Sequence, residues 1–439
     1  HKKQNFFSFS DIDSERKDRI MKFTSTEATP APHVPPGVLR LTGAAKEDIP
    51  MYRIQTMNKI SPVGLNRFPS ELYEVGDAVQ DPQGILVRSA KLLDLEFNPG
   101  LLAIARAGVG VNNIPLDRCA AAGIPVFSTP GANANAVKEL VLCAMLMGSR
   151  DIPGAIRWVR EQAASGADVS TVVEKGKSAF IGPELYKKTL GIIGLGAIGS
   201  IVANTAISLG MDVYGYDPFL SVDTALRLDR HVHVVKDIND LYKRSNYITM
   251  HIHYTEKTAH MIDASAIAAM KRGVRVINLA RGEIVDDEAM LTALDTGMVA
   301  AYITDFPNNR LLTAPHVIAM PHLGASTPES EQNCAAMAVD TLRDYLESGN
   351  IRSSVNLPEM TMDRSGVQRL CVLHKNVPGM LANITSLFGR DGVNVENLSN
   401  KSRGDYAYTM VDLGSKVGDN VIEDVRRTAN VIRVRSLEW

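Results

Sequence analysis

Cysteine is scarce: Cys119, Cys143, Cys334 and Cys371 are the four in 439 residues, scattered and without a C-x-x-C pair. Such spacing excludes a disulfide framework and a zinc ribbon. It fits a reducing compartment, read here as the cytoplasm, with each thiol packed as a small buried hydrophobe and no metal site. Charge of one sign is lacking too, since 47 Lys and Arg against 49 Asp and Glu leave a formal net charge of −2. No global field then draws in nucleic acid or a membrane surface, and an anionic ligand would need a local cluster of arginines. No apolar run approaches the roughly 18 residues that span a bilayer. The first stretch, "HKKQNFFSFSDIDSERKDRIMKF", has a short aromatic patch between charges, without the apolar core and cleavage site of a secretory signal. With "TSTEATPAPHVPPGV" it reads as a mobile extension over 1–50, too rich in Pro and Thr to bury a core.

What is present is an ordinary globular balance, 45% hydrophobic and 22% charged. From 51 to 150 the short apolar runs "GILVRSA" (84–90), "LLAIARAG" (101–108) and "GIPVFST" (123–129) alternate with helical stretches such as "PLDRCAAAG" (115–123). That is β-α-β patterning and predicts a parallel sheet. "NAVKELVLCAMLMGSR" (135–150) is a long apolar helix, read as a core element between domains or subunits. A second β-α series begins near 189 with "TLGIIGLG" and continues through "MDVYGYD", "YITMHI", "VRVINLA", "VAAYITD" and "HVIAMP". Helical sequence follows 325, and "NIRSSVNLPEMTMDRSG" is irregular, as a linker would be. The tail from 368 to 439 reads β-α-β-β-α-β, the ferredoxin-like order.

Gly194-Leu195-Gly196-Ala197-Ile198-Gly199 is a G-x-G-x-x-G loop between an apolar strand and a helix. Asp217 ends the next strand, about 20 residues on, which completes a dinucleotide-binding fingerprint. Gly194 permits the tight turn, Gly196 lets the backbone approach a pyrophosphate at the helix N-terminus, and Gly199 allows close helix–strand packing. Asp217 would accept hydrogen bonds from the ribose hydroxyls and repel a 2′-phosphate, favouring NAD over NADP.

"RAGVGVNNI" (106–114), this loop, "NLARGEIVDDEAM" (278–290) and "PHLGAST" (321–327) stand in the order found in D-2-hydroxyacid dehydrogenases, a family that the chain resembles over roughly 80–345. Within it the likeness is greatest to the members that act on D-3-phosphoglycerate, the first step of phosphorylated serine biosynthesis. "ILVRSA" puts Arg88 where those members use an arginine for the substrate, and "HKNVPGML" (374–381) looks like the start of their ACT domain. The resemblance implies an α/β fold of two doubly wound parallel-sheet lobes, the cofactor lobe inserted into the substrate lobe, plus a ferredoxin-like ACT domain. The expected division is a substrate-binding domain from 51–150 and 326–350, an NAD-binding Rossmann domain over 151–325, a linker over 351–367 and the ACT domain over 368–439.

The resemblance also implies roles. Arg281 holds the substrate carboxylate and polarises the 2-oxygen, as a planar guanidinium can. His322 is the acid/base, because an imidazole titrates near neutrality. The family places a glutamate a few residues after an Asp-Val-Phe to bond that histidine. Here the stretch is "ITDFPNN": aligned on Phe306, Asn309 takes the glutamate position and Thr304 that of the strand-end aspartate, with Asp305 one place later. An amide orients a ring but cannot stabilise imidazolium by charge, so Asn309, Asp305 or another carboxylate, Glu283 included, stays open as the partner of His322. Leu279, Ala280, Asp305, His322, Gly324 and Ala325 are expected beside NAD. Arg88, Ser89, Arg106, Gly108 and Arg281 are expected at a phosphorylated 2-hydroxy acid, with "STPGANANAV" (128–137) closing over it and Asn133 in contact. The family often has Asn where this chain has Gly131. In the tail, His374, Asn376, Pro378, Gly379, Leu381 and Asn394 would take an amino-acid effector, serine by analogy, and ACT domains pair along an edge, which implies a homodimer or tetramer. Two other readings remain: a dehydrogenase for an unphosphorylated D-2-hydroxy acid, and a non-catalytic NAD-sensing binding protein.

Overall fold

A computed structural model describes residues 51–439, so the expected extension over 1–50 lies outside the described residues. The first sheet has five parallel strands: β1 (Tyr52–Met57), β2 (Tyr73–Gly76), β3 (Gly84–Val87), β4 (Ala103–Arg106) and β5 (Val126–Phe127). Their order is β2-β1-β3-β4-β5, so β2 is laid on one side of β1 and the later strands on the other, all of them parallel. The inner strands are apolar runs buried on both faces, as parallel sheets require. β1 and β2 escape the sequence reading because "YRIQTM" and "YEVG" each fully bury a single residue.

The second sheet has seven parallel strands: β6 (Thr189–Ile193), β7 (Asp212–Tyr216), β8 (His233–Val235), β9 (Tyr247–Met250), β10 (Val274–Asn278), β11 (Val299–Thr304) and β12 (Val317–Ala319). The order β12-β11-β10-β9-β6-β7-β8 is that of a dinucleotide-binding fold, with its crevice between β6 and β9. The helix over Ala134–Arg150, α1, buries Val137, Val141, Ala144 and Met145 among β6, β7 and β11 side chains. It therefore belongs physically to the second core, although its sequence was grouped with the first lobe.

The C-terminal sheet is antiparallel: β13 (Gln368–Lys375), β14 (Val395–Arg403), β15 (Tyr406–Leu413) and β16 (Val431–Glu438), in the order β14-β15-β13-β16. One face is covered by the helices over Met380–Arg390 and Asp419–Arg427, through Leu370, Val372, Ile384, Phe388 and Val425. The other face does not stand free. Cys371, Leu373, Tyr408, Met410 and Leu437 share a core with Ile54, Leu86 and the long helix α3 (Pro328–Ser348), which follows the glycine-loop helix α2 (Ala197–Ser208). The segment read as a linker contributes Leu357, Met360 and Met362 to that core. β13 accordingly buries seven of its eight residues, a pattern an antiparallel strand shows only when both faces are covered.

The C-terminus of α3 explains the attachment. A helix leaves its last carbonyls without partners. Here Arg435 donates to the carbonyls of Tyr345 and Leu346 at 3.0 and 2.8 Å, Arg364 to that of Glu347 at 2.8 Å, and Arg369 to that of Ser348 at 2.8 Å. Gly349, at φ +75°, closes the helix, and its carbonyl accepts the Tyr408 hydroxyl at 2.6 Å. Three cations from the last 76 residues thus meet the negative end of one helix dipole.

Candidate active site

The residues singled out from sequence cluster where parallel strands end, the side of an open α/β sheet that binds ligands. In the first lobe, Asn58 follows β1 in a left-handed conformation, φ +80°. Its Oδ1 accepts the N–H groups of Ser89 and Ala90 at 3.0 and 2.8 Å and so shapes the loop after β3. That residue had no signal in the sequence beyond an Asn at a strand end. Arg88 leaves this loop to meet Glu331, and Ser89 is exposed. Arg106, at the end of β4, donates from Nε to the Arg88 carbonyl at 2.9 Å. A side chain at Gly108 would come within 3.0 Å of the Arg106 guanidinium, so glycine leaves that group its space. Thr129 donates its N–H to the Gly108 carbonyl, tying the 128–133 loop to the same corner. Asn133 precedes α1, and its Oδ1 is buried without a partner.

Arg281 follows β10. Asn278, fully buried, donates to the Arg281 carbonyl at 2.8 Å and accepts the Ala280 N–H at 3.2 Å, which holds the Leu279–Arg281 turn, where Leu279 and Ala280 are buried. A Cβ at Gly110 would lie 3.5 Å from Arg106 Nη1 and 3.6 Å from Arg281 Nη2, so both guanidiniums reach one point from different lobes. Burial first, then the neighbouring charges of Arg281 and Arg88, lowers the pKa of Arg106. Glu331 already answers the charge of Arg88, whereas Arg106 and Arg281 have no carboxylate partner among the described residues, so an anion that joins them relieves their repulsion.

His322, beyond β12, is exposed at the rim. Its ring packs on Phe306, centroids 4.6 Å apart, and the Arg281 guanidinium lies 5.7 Å from the same Phe306 centroid. Phe306 therefore separates and aligns the two expected catalytic groups, a role the sequence reading did not give it. The structure shows no bond from Asn309 to the imidazole: it is exposed in a turn, and its side chain makes no hydrogen bond among the described residues. The structured amide is Asn308, which bonds Asp287 at 2.6 Å and caps the following turn. Glu283 is likewise exposed and unpaired with His322.

Asp305 directly follows β11 and is 2% exposed, and neither carboxylate oxygen has a hydrogen-bond partner among the described residues. Burial raises its pKa; the charge of His322, the nearby backbone N–H dipoles of Asp305 and Gly324, which do not reach hydrogen-bond geometry, and the charge of Arg281 oppose that rise. Asp305 is thus the carboxylate whose charge His322 and Arg281 both feel. Gly324 is buried against Val137, and Ala325 is half-buried beside it.

The glycine loop follows β6. Gly194 has φ +90°, and a Cβ there would strike the His251 carbonyl at 2.7 Å. A Cβ on Gly199 would strike the Gly194 carbonyl at 1.9 Å, whereas one on Gly196 would meet nothing. The protein leaves open the side of Gly196 on which a phosphate would rest, with Ala197 and Ile198 opening α2 behind it. Asp217 spans this loop, accepting the Leu195 N–H and the Phe219 N–H, each at 2.9 Å. His251, at the end of β9 beside the crevice, was missed; its Nδ1 is buried and unpartnered, and burial pushes its pKa down to about 4. An open glycine, two orphaned carboxylate oxygens and an orphaned ring nitrogen on one crevice fit a dinucleotide.

In the C-terminal sheet, His374 is 2% exposed. Its two ring nitrogens bond the Lys375 carbonyl and the Thr409 hydroxyl, both at 2.8 Å, so both are taken up within the sheet. Asn376 bonds the Gly404 carbonyl at 3.1 Å and Asn394 bonds Glu396 at 3.0 Å, both at the surface. Gly379, at φ +84°, has open space around it, following Pro378 and preceding Leu381, which is 38% exposed. Among the described residues, no group of three His, Cys, Asp or Glu is placed to hold a metal, and no helix is long and apolar enough to cross a membrane.

Comparison with known proteins agrees with this geometry. A model of the D-isomer specific 2-hydroxyacid dehydrogenase NAD binding domain matches residues 142–324, from within α1 to just past His322. A Synechocystis sp. protein named D-3-phosphoglycerate dehydrogenase is 36% identical over 326 residues, 72% of this chain but only 56% of its own length. The chain spans similarly little more than half of its Methanocaldococcus jannaschii counterpart, 55%. The Haemophilus influenzae protein of the same name is 31% identical over 379 residues, 83% of this chain and 88% of its own. The NAD+-bound 3-phosphoglycerate dehydrogenase of Entamoeba histolytica superposes with TM-score 0.54 and 25% identity over 70% of this chain and 99% of that one. With a family model lying over the glycine loop and both β10 and β12 strand ends, and a relative matched over nearly all of its length, this chain belongs to the D-isomer specific 2-hydroxyacid dehydrogenases.

Proposed function

We propose that the chain oxidises D-3-phosphoglycerate at C2 to 3-phosphohydroxypyruvate. The observation that carries the reading is the meeting of Arg88, Arg106 and Arg281 in one corner, beside His322, in a chain of near-neutral charge. A substrate with a carboxylate at one end and a phosphate at the other is the anion that such a triangle suits. In this reading Arg281 holds the carboxylate and the 2-oxygen, His322 takes the hydroxyl proton, and Arg88 with Arg106 receives the phosphate. Asp305 supports the positive charge that His322 acquires. NAD, when bound, would accept the hydride from C2, the electron pair of the broken C–H bond going with it. Gly194, Gly196 and Gly199 would seat its pyrophosphate, Asp217 its ribose, and Asp305 and His251 offer partners to its polar groups. A reducing compartment suits the four free cysteines.

The test is NADH formation from D-3-phosphoglycerate beside D-glycerate and D-lactate. Arg88→Ala should weaken the phosphorylated substrate about 10- to 100-fold and leave glycerate nearly as it was, since a charge-assisted bond is worth roughly 1.5–3 kcal/mol. An equal loss on both substrates would assign Arg88 to the carboxylate.

Regulation by serine belongs to the same reading. Asn376, Gly379 and Asn394 supply surface polar groups, with His374 as a buried support rather than a ligand. The attachment of this sheet to α3 supplies a path to the substrate lobe within one chain. The exposed edge strand β14 is where two copies would pair. Calorimetric titration with serine should give a saturable isotherm and a matching fall in rate; a flat titration with serine and other small amino acids would leave the sheet a structural module.

A further inference from the structure

Arg88 does not enter the cleft as a free cation. Its Nη2 meets Glu331 Oε1 at 2.5 Å, across 243 residues of sequence, with 43% and 44% of the two side chains exposed. Neither Arg106 nor Arg281 has an ion pair among the described residues. Glu331 lies in the first turn of α3, after the Thr327 cap, whose Oγ1 accepts the Ser330 N–H at 3.1 Å, and after Pro328 at the first helical position. The positive end of the helix favours its negative charge. The cap holds its backbone, and Arg88 is the partner of its carboxylate. The guanidinium edge it occupies is one that an incoming anion would need.

We propose that Glu331 is a specificity-determining residue that competes with the substrate for Arg88; the proposal rests on the phosphoglycerate reading. A phosphate carries up to two charges and three acceptor oxygens and displaces one carboxylate from an arginine. A terminal carboxylate, the chemical equal of Glu331, gains nothing by the exchange, and an uncharged terminal hydroxymethyl cannot make it. Glu331 thereby screens Arg88 against D-2-hydroxy dicarboxylates such as D-malate, at the expense of some affinity for the phosphorylated substrate. Because the pair is exposed, the effect on that affinity is modest.

The test is steady-state kinetics of Glu331→Gln on the full chain with NAD and three substrates. The expected result is a KM for D-3-phosphoglycerate lowered about three- to fivefold with kcat within about twofold, the range an exposed ion pair allows. D-Glycerate kinetics stay unchanged, and D-malate gains at least as much as phosphoglycerate. Glu331→Asp, which keeps the charge, should stay near the parent on all three. A phosphoglycerate KM that rises would mean that Glu331 positions Arg88 for the substrate, and an unchanged KM would mean that the pair is only structural; either overturns the proposal. A parent protein inactive on phosphoglycerate would sink the functional reading itself, which the first assay shows before any variant is made.

Discussion

His322→Gln should lower kcat/KM for D-3-phosphoglycerate, the proposed substrate, by about 10²- to 10⁴-fold, the usual contribution of a positioned acid/base. Glutamine preserves much of the ring's bulk against Phe306 but cannot take and return a proton near neutral pH. Arg281→Ala should lose about 10²-fold or more for a different reason, the removal of the proposed electrostatic clamp on the carboxylate and the developing charge at the 2-oxygen. The two losses separate by pH. The His322 variant loses the acidic limb of the pH–rate profile, whereas the Arg281 variant keeps it. The same profile decides what stands behind the imidazole. If Asp305 provides the charge, Asp305→Asn moves the acidic limb to lower pH and Asn309→Ala leaves it in place. The opposite pattern would return the role to Asn309 and require a lobe movement to bring it to the ring. Near-parent activity in His322→Gln would place the base elsewhere.

Arg369→Met destabilises the protein by about 3–5 kcal/mol, the range for removing one partner of a buried ion pair. Arg369 and Asp412 are both fully buried, joined by two bonds of 2.6 and 2.7 Å. Without the guanidinium the Asp412 carboxylate keeps only the Ser365 N–H and hydroxyl, and the carbonyls of Ser348, Met362 and Asp363 lose their donor. Adding Asp412→Leu removes the stranded charge and should restore part of the stability, but not all, because those carbonyls remain unbonded. Urea unfolding of the parent, the single and the double variant measures this. A single variant within about 1 kcal/mol of the parent would mean that water reaches Asp412 and that the C-terminal sheet is less firmly docked than its shared core implies.

Much of this protein is legible from sequence alone, because the features concerned are encoded by neighbours in the chain. Apolar runs such as "TLGIIG" and "VRVINLA" declare strands buried on both faces. A G-x-G-x-x-G loop declares a turn that favours glycine at Gly194, a helix–strand contact too close for a side chain at Gly199, and an open face at Gly196. Arg88, Arg106, Asp217, Arg281, Asp305 and His322 are each placed by a nearby strand end, so their convergence on one side of two sheets follows once those strands are parallel.

What needed the tertiary structure is whatever depends on residues far apart in sequence or on what covers a face. Arg88 finds Glu331 only after the helix beyond the second lobe returns to the first. Asp305 and Asn309 stand four residues apart, and their sequence cannot say that one is sealed without a partner while the other faces water. β1, β2 and β8 carry too few buried side chains to show a period, and exist because a neighbouring strand supplies their hydrogen bonds. The β-α-β-β-α-β tail announces its own fold but not its second covered face. That face is decided by three arginines meeting the carbonyl end of α3, a contact between charges and a dipole that no local pattern of hydrophobicity records.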